Sequence, residues 1–76
     1  MSIKNLVICM ANDGYGASLE LHKVYAVMDP IESDPEDYCR ILDESGEDYL
    51  YPADWFEAVN LAGPLEARII ESVLAA

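Results

Sequence analysis

"GEDYLYPADWFEAV", residues 46–59, is the stretch on which the fold turns. Its first part, Asp48–Tyr51, has the short aromatic-rich make-up of a strand. Pro52 removes a backbone donor and stops that strand, Ala53 to Trp55 leave room for one tight helical turn, and "FEAVNL" (56–61) then runs on as a further strand. Two tyrosines, a tryptophan and a phenylalanine thus fall within eight positions of an acidic chain. Either they fill a core or they form a surface that holds something.

Working back from this stretch, "DESGED" (43–48) supplies a turn with Gly46 available for a positive φ. It joins "YCRIL" (38–42) to the tyrosine strand as a hairpin over 38–51. Residues 29–37, "DPIESDPED", carry two prolines and five carboxylates and read as an exposed loop. Before it, "HKVYAVM" (22–28) alternates as a strand, with Val24, Ala26 and Met28 on one face and Lys23, Tyr25 and Val27 on the other. A glycine-bearing loop, "NDGYGASLEL", separates it from a first strand, "KNLVICM" (4–10).

Working forward, Pro64 suits the first position of a helix over 64–76. Leu65, Ile69, Ile70, Val73 and Leu74 fall on one stripe of it. A helix this short is marginal in water and must dock, either over an open end of the sheet or against a second copy of the chain. The expectation is one domain: an all-β, five-stranded closed barrel over 1–62 followed by an amphipathic helix over 64–76.

The run "YLYPADWFEAV" resembles the C-terminal signature of Src-homology-3 (SH3) domains, in which a proline, a 3₁₀ turn and an aromatic residue precede an apolar strand. The resemblance implies an SH3-like barrel in which Pro52 and Trp55 form surface while Tyr51 and Phe56 are core. "NDGYGASLELHKVYAV" is similar to that family's long first loop, with Tyr15 near its tip and Glu20 nearby. Strand three begins Tyr38–Cys39, where the peptide-binding members carry paired tryptophans. A further resemblance, over roughly residues 5–60, is to small uncharacterised bacterial and phage proteins with an "IDESGEDYLYP"-type motif, which reads ILDESGEDYLYP at 41–52 here. They look like stand-alone SH3-like barrels, so this likeness implies architecture and not activity.

Fifteen acidic residues against four basic ones give a net charge of −11. That charge repels phosphate backbones and anionic lipid heads, so direct nucleic-acid or membrane binding is not expected. It also strains the folded state by self-repulsion, and added salt should therefore raise the melting temperature. A melting temperature that falls between low and moderate salt would contradict this. The apolar run LVICMA near the N-terminus is shorter than a signal-peptide core or a membrane span, which suggests a cytoplasmic protein.

Tyr15, Pro52, Trp55 and one strand-four tyrosine, Tyr49 or Tyr51, are the candidate ligand-binding residues. They would form an aromatic shelf on which an extended peptide packs. The acidic runs 29–37 and 43–48 hold nine of the fifteen carboxylates and would select a basic or polar protein partner. Two competing roles are a structural homo-oligomer assembled through residues 64–76 and an acidic mimic that occupies a nucleic-acid-binding protein.

No cofactor or metal is expected, because neither acidic run matches an EF-hand and His22 has no cysteine at ligand spacing. "DGYGASL" lacks the third glycine and the βαβ setting of a dinucleotide fingerprint. Cys9 and Cys39 lie within predicted strands with no sign of an activated thiol, and His22 reads as structural within strand two. A catalytic role is not expected.

Overall fold

The computed structural model describes residues 3–61 and the backbone of 63–75, with side chains given through Val73. Five antiparallel strands form one sheet: β1 (Ile3–Cys9), β2 (Val24–Met28), β3 (Tyr38–Leu42), β4 (Asp48–Pro52) and β5 (Phe56–Ala58). A 3₁₀ turn, Ala53–Trp55, links β4 to β5, and helix α1 (Gly63–Ala75) follows. The order across the sheet is β4-β3-β2-β1-β5. β4 and β5 are therefore its edges, and the sheet is not closed as the expected barrel would be. Residue 62, where the barrel was expected to end, residue 76 and the side chain of Leu74 lie outside the described residues.

The inner strands are apolar on both faces, and each face has its own cover. On one face, Val7, Cys9, Tyr25, Val27, Ile41, Tyr51 and Phe56 pack with Leu19, which the long β1–β2 loop folds back into the cluster. On the other, Leu6, Ala26 and Met28 pack with half-buried Ile69, Ile70 and Val73 of α1. The helix thus covers a face of its own sheet instead of capping an open end. The face assignments in β2 follow the alternation in its sequence, because register across a ladder preserves side-chain parity.

β1 sits one residue earlier than expected, α1 begins one residue earlier, and three further boundaries differ. β2 starts at Val24, because His22 sits at φ 66° in a turn whose amide donates to the Cys9 carbonyl at 2.7 Å. That closes the loop before the ladder begins, so His22 is exposed and outside the strand. β4 runs on to include Pro52, paired with Tyr38; an edge strand tolerates the missing donor. β5 stops at Ala58 because the chain then crosses to the other face, where Leu61 joins the helix-side cluster.

The hairpin turn is as expected, with Gly46 at φ 82°. None of the described helices is long and apolar enough to cross a membrane.

Candidate functional site

The 3₁₀ turn is pinned from both sides. The Ala53 amide donates to the Asp37 carbonyl at 2.9 Å, and the Trp55 carbonyl accepts from Met10 at 2.7 Å and from Ala11 at 3.3 Å. Pro52, at φ −55°, leads into the turn, and Phe56 leaves it extended at φ −129°. This reversal turns Phe56 into the core and leaves Trp55 half-buried.

Tyr15 reaches the same place from the other end of the sequence. Its loop is folded by its own hydrogen bonds: the Asn12 side-chain amide donates to the Leu19 carbonyl at 2.9 Å, and the Asn12 carbonyl accepts from Tyr15 at 2.7 Å. Leu19 is fully buried and fixes the loop to the core. The Tyr15 ring then stands edge-on to Tyr51 at 5.4 Å and tilted to Trp55 at 5.8 Å, while Tyr51 and Trp55 are 6.2 Å apart. Such centroid separations are those of favourable aromatic pairs. Tyr51 is 3% exposed and Tyr15 50%, so the cluster is core at its base and surface at its top.

Tyr49 is the exposed tyrosine of β4, on the same side as Tyr51, and its hydroxyl donates to Glu47 at 2.9 Å. With Tyr15, Ser18, Asp43 and Tyr51 it lines an open groove of about 330 Å³. Pro52 does not line that groove. It borders a second hollow of about 340 Å³ with Asp37, Tyr38 and Asp54. The four candidate residues therefore divide: Tyr15 and Trp55 are in contact, Tyr49 shares a groove with Tyr15, and Pro52 belongs to the adjacent hollow. Tyr38, 41% exposed and opposite Pro52 in the hairpin register, was not among the residues picked from sequence. Counting pairs back from the turn would have found it.

Much of the acidic hairpin is engaged internally. Asp43, 7% exposed, accepts from the Tyr51 hydroxyl at 2.6 Å, the Ser45 amide at 2.9 Å and the Ser45 hydroxyl. Burial pushes its carboxyl up, but these donors outweigh that and hold it below the usual range. Glu44 accepts from Lys23 at 2.6 Å and from Tyr25, and Lys23 beside it holds its carboxyl low. The Glu44 amide also donates to the Ser18 carbonyl at 3.0 Å, which ties the hairpin tip to the Tyr15 loop. Asp34, in the other acidic run, is held low by the Arg40 guanidinium.

These three carboxyls are depressed in the fold, so each stabilises above its unfolded value near pH ~4, and the contribution is lost as pH falls through the folded value. Mild acidification relieves the charge repulsion first. We therefore expect stability to rise slightly below neutrality and then fall below about pH 4. At the alkaline end burial, aided by Asp43, pushes Tyr51 up to about 12. Its contribution is full below the ordinary tyrosine value of about 10 and is lost as pH rises through the folded value. Acid and alkaline melts, with phenolate absorbance followed in the latter, check both limbs; uniform titration of all tyrosines near the ordinary value would contradict the second.

Among the described residues no group of three or more histidine, cysteine or acidic side chains stands together as a metal cage. Burial raises the thiols of Cys9 and Cys39, the latter to about 11. No family model, curated protein or solved structure matches this chain.

Proposed function

We propose that the chain is a noncatalytic protein-interaction module of SH3-like barrel architecture. It takes an extended segment of a partner across Tyr15 and Trp55 toward Tyr49 on one side and Pro52 on the other. The observation that carries this reading is the half-exposed Tyr15 ring held against Tyr51 and Trp55 by a hydrogen-bonded loop. An aromatic surface set on a fixed backbone loses little freedom on binding. The strand order, the long first loop and the 3₁₀ break before β5 support the architecture. Raised thiol pKa values argue against Cys9 or Cys39 as a nucleophile.

The exposed carboxylates around the site favour a basic or polar partner. Assembly through residues 64–76 is the second reading, favoured by one observation: Leu65 is 48% exposed on the helix. Ile69, Ile70 and Val73 of the same stripe are already used on the chain's own sheet.

Selection from a displayed library of short peptides tests the module. Trp55 is the single tryptophan and reports binding directly by its fluorescence. Tyr15→Ala, folded by circular dichroism, is expected to weaken the selected peptides by about tenfold or more. Selection of nothing above background, or equal binding by this variant, would remove the reading. Mass that rises with concentration would favour assembly.

A further inference from the structure

Ile31 is 56% exposed, more than any other large apolar side chain among the described residues. It is not on a loose loop. Its amide donates to Asp34 Oδ2 at 3.1 Å and its carbonyl accepts from the Asp34 amide at 3.0 Å. Arg40 grips the same Asp34 carboxylate with Nε at 3.0 Å and Nη2 at 2.6 Å, and reaches Asp48 on β4 with Nη1 at 3.0 Å. The Asp34 side chain is only 5% exposed in this clamp. The loop therefore presents an isoleucine to water in a preset position.

Beside it lies a hollow of about 320 Å³ with Met28, Pro30, Pro35, Tyr38 and Cys39 among its walls. The loop that walls it is acidic: Glu36 lines the hollow, and Glu32 and Asp37 are exposed on the same loop. Arg40 is already committed to two carboxylates, which leaves Lys4 as the other cation in the lining. An apolar hollow walled by an acidic loop, on a chain of charge −11, matches an apolar group carried between positive charges.

We propose that this hollow is a docking site for a cationic peptide segment of a partner protein, which inserts one large apolar side chain against Ile31 and Tyr38. The site shares no lining residue with the groove at Tyr15, shares Tyr38 with the hollow at Pro52, and does not rest on the function proposed above. The preset loop lowers the ordering cost of binding, and the carboxylates steer the segment in.

Two synthetic peptides test it, one with phenylalanine flanked on each side by two lysines and one with serine in its place, titrated into isotope-labelled protein. The phenylalanine peptide should bind about tenfold tighter, since it buries an apolar side chain that serine lacks. Its chemical-shift changes should centre on Ile31, Met28 and Tyr38. Ile31→Ser, an exposed change that the fold should tolerate, is expected to bring it down to the serine level, and Glu36→Lys to weaken both peptides. Tyr15→Ala should leave the difference intact, which separates this site from the aromatic one. Equal affinities for the two peptides, shifts centred on Tyr15 and Trp55, or an Ile31→Ser variant that binds as well as wild type would each overturn the proposal.

Discussion

Asp43→Ala is expected to remove about 2–4 kcal/mol of stability, the cost of leaving the buried Tyr51 hydroxyl and the Ser45 donors without an acceptor. Asp43 is 7% exposed and Tyr51 3%, so water cannot fully replace the lost carboxylate. A domain of this size has a total of roughly 4–11 kcal/mol to lose, and the melting temperature should drop by about 10–20 °C.

Tyr51→Phe removes a single donor and leaves Asp43 its Ser45 bonds, so it should cost about 1 kcal/mol. Non-additivity in the double variant would measure the bond itself. Because Tyr15 and Trp55 both pack against the Tyr51 ring, Asp43→Ala should also shift Trp55 emission to the red in the native state. Urea unfolding followed by that emission reads both effects. A loss under about 0.5 kcal/mol, the range of an ordinary surface change, would show that the hairpin carboxylate is not holding the core.

Ile70→Asp should cost a similar amount, about 2–4 kcal/mol, by placing a charge where α1 meets Leu6, Ala26 and Met28. Leu65→Asp, on the same helix but 48% exposed, should stay within about 0.5 kcal/mol. The contrast isolates docking from helix propensity, because isoleucine and leucine differ from aspartate by only a few tenths of a kcal/mol as helix formers. Loosening the helix also uncovers a sheet face, so Ile70→Asp should self-associate in sedimentation runs at raised concentration. Equal effects of the two substitutions would mean that the helix does not rest on this sheet. If both variants lowered the mass of a pre-existing oligomer, the helix would instead be its interface.

Local chemistry made much of this legible in advance. The hairpin could be placed because Gly46 needs positive φ and the flanking residues are strand formers, and the 3₁₀ turn because Pro52 ends one strand and Phe56 opens the next four positions later. The resemblance to the SH3 signature, not local chemistry, separated Tyr51 and Phe56 from Trp55 and Pro52. Strand-four parity was harder: Tyr49 and Tyr51 point to the same side of β4, and only what stands over each one differs. The Tyr15 loop covers Tyr51 and leaves Tyr49 at the rim.

The acidic runs show the same division between composition and placement. By composition they are solvated loops, yet Asp34, Asp43, Glu44 and Asp48 are bound by Arg40, Ser45, Tyr51, Lys23 and Tyr25. The partners of Glu44 lie 19 and 21 residues away in sequence. Local pattern carries no record of such pairs.

From its residues alone, this chain determined the type and order of its elements, the hairpin register, and the assignment of β2 side chains to two faces. These depend on backbone preferences and period-two alternation, which act within a few residues. Tertiary structure decided what covers each face: the Tyr15 loop over one, α1 over the other. It also decided that β4 and β5 remain edges and that Ile31 is held out to solvent by a carboxylate clamp. Those outcomes depend on which distant surfaces meet, and burial of apolar area is non-directional, so it selects contacts only once the whole chain is assembled.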